Sequence, residues 1–485
     1  MTALAPAAGA EARAPSGAAP RHRPRLVFGV LAVLVLCFAV FAVSRMFPAE
    51  PYGMADDWRV FFAAGSVVHH GGSPYDPALI HAAEQQAEYY ASVQPSLDDF
   101  VNLPIVAWLL QPFAALPFWA SYALAAALGV VASAVALVTW LRRLGWRSPL
   151  RWTGLALVSW PALLGVFSGQ FDLLLLALLI AAVIAATDGH DVLAGALCAA
   201  AAVVKPHVLW PLPLLLVACQ LPDRRAAART AGAAAAVALL AVAGGEVLIP
   251  GATAQFLNHL VAFGSRVGTV QPDLAGLPGL LGRLPGGDVL AGLVVVAGGV
   301  ATLGFAAFWA IDHRARALPR TTRVALGVCA GLALWLAATP YAHPNDDVLL
   351  FPLVALLVGA DASRLRARDL LQALLAIAAV VAGFLVAPAA GAAVTVIAAA
   401  VVWSRRGAAR QSALAAVTLT SLALLPMVWP FHALGYSLTP LAVFAAALAG
   451  VELVRRTLGA VPSQALGTAF AVSQAPALER SNTSR

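Results

Sequence analysis

From residue 26 onward the chain alternates between apolar runs and short polar breaks. The runs are Leu26–Phe47, 103–141, 152–168, 171–187, 191–205, 207–219, 230–249, 289–311, 324–340 and 348–360, with further ones towards the C-terminus. Lipid offers no partner to backbone N–H and C=O groups, so apolar runs of this kind predict spanning α-helices. The run 103–141 is too long for one straight crossing. Pro112 and Pro117 predict a short membrane-dipping piece before the full helix. The runs 207–219 and 392–403 are short. At ~20 residues per crossing the pattern predicts about 12–14 spans.

Composition agrees. Of the 485 residues 61% are hydrophobic and 11% charged, against roughly 25% charged in soluble proteins. That excludes a soluble enzyme, a disordered scaffold and a nucleic-acid module. The formal charge of +7 reports topology, because the arginines cluster in short loops and such loops stay cytoplasmic. Arg21, His22, Arg23 and Arg25 precede the first run and place the N-terminus inside. That run is too long for a signal peptide and lacks a good cleavage site, so an uncleaved span is expected. The loops Arg142–Arg151, Asp223–Arg229, Arg314–Arg323, Arg364–Arg368, Arg405–Arg410 and Arg455–Arg456 also fall inside. Residues 49–101, Gly169–Asp172, Lys205–His207, 250–288, Thr339–Asp347 and Trp429–Tyr436 then fall outside. Residues 1–24 and 459–485 read as disordered cytoplasmic ends around a membrane domain, 25–458. Cys37, Cys198, Cys219 and Cys329 all lie in apolar runs and read as packed small hydrophobes, not disulfides or metal ligands.

The outer segments hold the acids, histidines and aromatics, so the outer face is the expected working face. Phe61, Phe62, Val67 and Val68 recur at helical spacing and predict an amphipathic interfacial helix over 58–70. Asp56 and Asp57 stand at its N-cap, either as plain caps or as functional carboxylates. His69 and His70 read as a solvated pair. Lys205 is the only lysine in the chain and lies deep in apolar sequence, where an ionised group costs ~2.5–3.5 kcal/mol. An anion must offset it, and a phosphate fits a compact ammonium. The other reading is a lysine snorkelling to the headgroups. In the turn 338–347, His343, Asn345 and Asp346 are ligands or acid/base groups, or caps of the next helix. Gln170 binds substrate hydroxyls or sits in a simple hairpin turn. Arg266 binds phosphate or an outer headgroup. There is no phosphate-binding GxxxxGK[ST] loop and no Asp-x-Asp metal motif.

Four stretches resemble glycosyltransferase family 87, the polyprenol-phosphate-dependent transferases of GT-C fold. They are Asp57-Trp58-Arg59-Val60-Phe61-Phe62-Ala63-Ala64 with Gly71-Gly72-Ser73-Pro74-Tyr75-Asp76, Asn102-Leu103-Pro104 through Leu109-Leu110-Gln111-Pro112-Phe113 with Leu116-Pro117, Gly169-Gln170-Phe171-Asp172, and Lys205-Pro206. Phe61 stands where the family usually has Tyr, and Asp172 where its Gln-x-Asn turn has Asn. The resemblance implies an all-α integral membrane protein, a multi-span GT-C-type helical bundle with two long outer loops, 49–101 and 250–288. It implies transfer of a sugar, mannose before arabinofuranose, from a polyprenyl-phosphate donor to a cell-envelope glycolipid or glycan acceptor. Asp57 matches the family's acidic position, with Asp56 the second choice. Lys205 and Arg266 would meet the donor phosphate. Gln170, Asp172, His207, His343, Asn345 and Asp346 would meet acceptor or sugar.

The expected partners are therefore donor, acceptor and membrane lipid, with no cofactor, no metal and no nucleic acid. The expected location is the plasma membrane, with the active site on the outer, periplasmic face. Composition that is Ala/Arg-rich and nearly free of lysine hints at a high-GC actinobacterial genome. A phosphate leaving group needs no general acid, so a single carboxylate suffices as base, in contrast to the carboxylate pair of glycosidases. The rival reading is a secondary transporter or lipid flippase, for which a repeated segment is expected and none is found.

Overall fold

The computed structural model describes residues 55–87, 100–267, 274–282, 286–361 and 435–459, with single helical positions at 372, 394, 397 and 401. The expected first span Leu26–Phe47, both chain ends and the loops Arg364–Arg368 and Arg405–Arg410 lie outside the described residues. Among the described residues there are helices and no strand, and the chain is an all-α, multi-span membrane protein.

The segment before the long run contributes α1 (Asp56–His69) and α2 (Pro77–Gln86). The long run at 103–141 divides as its prolines require, into α3 (Pro104–Ala114) and the 26-residue α4 (Phe118–Arg143). Next come α5 (Pro149–Leu157) and α6 (Trp160–Ser168), a broken pair bent by 55°. Pro161 near the start of α6 has no N–H for a continuous helix. Then follow α7 (Asp172–Thr187), α8 (Asp191–Val204), α9 (Pro206–Leu209) and α10 (Pro211–Gln220). Between α8 and α9, Lys205 has φ −135° and ψ 73°, out of the helical region as a residue before proline tends to be. The chain continues through α11 (Arg224–Leu248), α12 (Ala252–Val267), α13 (Leu277–Leu281), α14 (Gly287–Ile311), α15 (His313–Ala317) and α16 (Arg320–Ala338). A 3-10 turn (Pro344–Leu350) leads into α17 (Phe351–Asp361), and α18 (Gly435–Gly459) packs on α16.

Four described helices are long and apolar enough to cross a bilayer, α4, α11, α14 and α16, and the bent pair α5–α6 makes a fifth. The remaining apolar helices are shorter, because each stops at one of the polar turns that build the site.

Among the described residues, the arginine loops at 142–151, 223–229 and 314–323 gather at one end of the bundle. Arg143 forks onto Asp188 at 2.5 and 2.7 Å. Asp191, wholly buried in its side chain, is held by Arg229 at 2.5 Å and by Arg320. The turns 169–172 and 205–207 and the 343–350 segment meet at the opposite end. The antiparallel course that the arginines imply is the course the helices follow.

Two cores result. The larger is built on α7, apolar on every side, with Leu175, Leu176, Leu179 and Ile180 fully enclosed. Such a helix belongs at the centre of a bundle. The second joins α1 to α3 and holds Trp58, Phe61, Phe62, Tyr75, Phe100 and Phe118. This corrects the interfacial helix expected over 58–70. Trp58 through Gly65 are all buried, because α3 packs along α1 and α2 covers its polar side, where Arg59 meets Glu84. Gly65 permits the approach of α3: a Cβ there would lie 2.8 Å from the Leu110 carbonyl oxygen.

Candidate functional site

The start of α1 is tied to the end of α6. The Ala55 N–H donates to the Phe167 carbonyl at 2.7 Å. Ala55 pays for that position with a left-handed backbone, φ 64° and ψ 27°, costly for a residue with a Cβ. Ala55 also takes the N-cap position, so Asp56 and Asp57 are not caps as expected. They stand in the first turn, where the helix dipole favours a carboxylate.

The two acids diverge from there. Asp56 pairs with the buried guanidinium of Arg59 at 3.0 Å, and Arg59 also lies 3.7 Å from Glu84. Asp57 turns to the side chains of Gln170 and Ser168. Burial pushes the Asp57 carboxyl above its ordinary range, against the opposing pull of His343, Gln170, Lys205 and Ser168. The 168–170 turn can lie this close only because residue 169 is glycine. Gly169 has φ +80°, and a Cβ on it would sit 2.5 Å from that of Trp58.

Below Asp57 lies a buried charge cluster. The Lys205 ammonium donates to Asp172 at 2.9 Å and to Asp346 at 2.7 Å. Asn345 donates to the second oxygen of Asp172, and the His343 backbone N–H to the second oxygen of Asp346 at 2.9 Å. All of Lys205, Asp172, Asn345, Asp346 and the adjacent Asp347 are buried. The sequence calls for an anion against Lys205, and two carboxylates of the chain itself supply it, before any phosphate arrives. One signal was there to be read: Asp172 and Asp346 are acids at the edges of apolar runs, and the chain has a single lysine to meet them.

Around this cluster the rings of His207, Tyr341 and His343 follow one another at centroid distances of 5.5 and 4.9 Å. The His207 Nε2 is buried without a hydrogen-bond partner. The α1–α2 segment is clipped onto the same end of the bundle. Tyr75 donates its hydroxyl to the Asn102 carbonyl, and the Asn102 amide donates to the Val204 carbonyl, both at 2.6 Å. Asn102 falls in one of the stretches that carry the family resemblance, though without an assigned role, and nothing in the sequence marks Ser168. Asp57, Gln170, Asp172, Lys205, His207, His343, Asn345 and Asp346 thus meet in one place, across 289 residues of chain. Arg266 lies in α12, and its side chain falls outside the described residues. Among the described residues no three His, Cys, Asp or Glu are grouped to hold a metal ion.

Beside the cluster opens an apolar cavity of about 510 Å³, walled by α3, α4, α7, α8 and α11. Trp58, Gly169 and Gln170 form its polar end. The Trp58 indole N–H is already spent on the Ser121 hydroxyl at 2.9 Å, and the Tyr122 hydroxyl on the Val166 carbonyl at 2.7 Å. Gln170 is the polar side chain that links the cavity to Asp57.

Among known proteins, the model of glycosyltransferase family 87 matches residues 100–340. No curated protein and no solved structure matches the chain. The matched stretch holds Gln170, Asp172, Lys205 and His207. Asp57 and the turn 343–346 flank it in sequence and join it in space.

Proposed function

Through residues 100–340 the chain belongs to glycosyltransferase family 87 and is a membrane glycosyltransferase, and from that premise we propose that it takes its sugar from a polyprenyl-phosphate donor. The acceptor is a cell-envelope glycolipid or glycan at the outer face of the plasma membrane, and mannose is the first choice of sugar, arabinofuranose the second. The observation that carries this reading is the junction at Gln170. A half-buried carboxyl, Asp57, meets through Gln170 the polar end of an apolar cavity of about 510 Å³. An acid at the mouth of a lipid-sized cavity suits a substrate with a prenyl tail and a sugar head.

In this mechanism Asp57 takes the proton from the acceptor hydroxyl as that oxygen bonds to the anomeric carbon. The bond from that carbon to the phosphate oxygen breaks on the opposite face, and the configuration inverts. The electron pair leaves with the polyprenyl phosphate, which needs no proton. General-base assistance of this kind contributes about 10²–10⁴ in rate. Two N–H groups of the Lys205 ammonium are held by Asp172 and Asp346, and the third is assigned to the donor phosphate. The cluster holds one more carboxylate than ammonium, so this contact orients the phosphate more than it attracts it. Gln170, His343 and the His207–Tyr341 pair surround the hydroxyl-bearing groups of acceptor and sugar. Asp172 and Asn345 act through Lys205, and Arg266 is assigned to the donor headgroup.

The test is transfer by the purified protein from radiolabelled polyprenyl-phosphate mannose and polyprenyl-phosphate arabinofuranose to an envelope lipid extract. Label should pass into the acceptor with wild type and not with Asp57→Asn, the two proteins eluting alike in detergent. Equal transfer by the Asn variant removes Asp57 from the mechanism. Absence of transfer from every polyprenyl-phosphate sugar removes the donor assignment.

A further inference from the structure

The shape of the cavity limits how much of a prenyl chain it can hold. Its wall on α7 runs from Phe171 to Leu178, on α4 from Tyr122 to Gly129, and on α3 from Ile105 to Phe113. At 1.5 Å rise per residue these walls are about 10–12 Å long. An isoprene unit adds four carbons to the chain, about 5 Å when extended at C–C bond lengths near 1.5 Å. The cavity therefore spans two units and at most part of a third. Its polar end is closed by Trp58 and Gly169, next to Asp57. Its other margin is formed by Leu109, Leu128 and Leu240, which are 55%, 50% and 70% exposed. Those side chains belong to α3, α4 and α11 and open the cavity sideways onto the bilayer. Among the described residues no wall continues past them.

Resting on the polyprenyl-phosphate reading above, we infer that the protein recognises only the two or three isoprene units nearest the phosphate and leaves the remainder of the chain in the membrane between α3, α4 and α11. The donor class is set by the proximal isoprenes, and total chain length is not read. A C15 prenyl phosphate fills the cavity and a C10 one leaves part of it empty. A C50 one adds carbons that touch lipid in both the free and the bound state.

The experiment measures binding of geranyl (C10), farnesyl (C15) and decaprenyl (C50) phosphate to the full-length protein in lipid nanodiscs, by quenching of tryptophan fluorescence and by thermal shift. No sugar is needed, so the result does not depend on which sugar is transferred. Affinity should rise by up to about tenfold from C10 to C15, as the last one or two methylenes of the cavity are filled at ~0.8 kcal/mol each, and change less than threefold from C15 to C50. Ala126→Phe, which fills the cavity from α4, should weaken C15 binding at least tenfold. Leu239→Phe, exposed on α11 and away from the cavity, should leave it unchanged and controls for folding. An affinity that climbs tenfold or more between C15 and C50, or an Ala126→Phe protein that is folded and binds C15 normally, overturns the inference and leaves the donor assignment standing. Failure of all three lipids to bind overturns both.

Discussion

Replacing Lys205 by methionine keeps an unbranched apolar stem, one atom shorter, and removes the cation between Asp172 and Asp346. In the native protein each carboxylate lies within 2.9 Å of the ammonium nitrogen, with all three side chains at most 9% exposed. Without the ammonium two buried carboxylates face each other across the vacated site. Unit charges about 4 Å apart interact by about 4 kcal/mol at an effective dielectric of 20. Removing one partner of a buried ion pair costs ~3–5 kcal/mol in measured cases. A protein of ordinary stability has only ~5–15 kcal/mol to lose. Lys205→Met should therefore unfold at much lower temperature than wild type at pH 8, and the deficit should shrink at pH 5.5, where a carboxylate takes up a proton more easily. The triple variant Asp172→Asn, Lys205→Met, Asp346→Asn buries no net charge and should regain most of the lost stability without regaining transfer. The assay is thermal unfolding of the detergent-purified proteins at both pH values, with sugar transfer measured alongside. A Lys205→Met protein as stable as wild type at pH 8, or a triple variant no more stable than the single one, would refute the reasoning.

Other outcomes follow from the same geometry. Asp57→Asn should lower the transfer rate by about 10²–10⁴ with an unchanged unfolding temperature; a parallel loss of stability would mark Asp57 as structural. Burial raises the Asp57 carboxyl above its usual value, and the base works only when ionised. Transfer should accordingly fall with decreasing pH along a limb centred above the ordinary aspartate range near ~3.9. A kcat/KM profile flat down to that value would exclude Asp57 as the titrating base. Gly169→Ala places a Cβ where φ is +80° and 2.5 Å from the Cβ of Trp58, so it should cost more than ~1 kcal/mol and displace α1 from the 168–170 turn. Comparison of unfolding temperatures tests this, and a neutral Ala variant would show that the turn can shift.

Much of the architecture is local and was legible in order along the chain. The break between α3 and α4 follows from Pro117, while Pro112 is carried inside α3, and the end of α8 at Lys205 from Pro206, because proline acts on the backbone beside it. The antiparallel course follows from where the arginines stand, because each loop meets its solvent independently of the others. The helices themselves follow from lipid, which leaves a backbone no other way to satisfy its hydrogen bonds.

What sequence alone did not determine is pairwise and distant. Lys205 meets Asp172 across 33 residues and Asp346 across 141, and the apolar context of the lysine required an anion without saying whose. The packing of α7, α8 and the 343–350 segment supplies it from within. The burial of α1 was likewise decided by α3 lying over it at Gly65, which no periodicity within α1 reports. The choice between Asp56 and Asp57 shows the same division: adjacent acids are equivalent in a one-dimensional pattern, and only the fold turns one to Arg59 and the other to Gln170 beside the cavity. Local chemistry selects the elements and their ends, and close packing between remote segments decides which polar groups lose water and what they meet when they do.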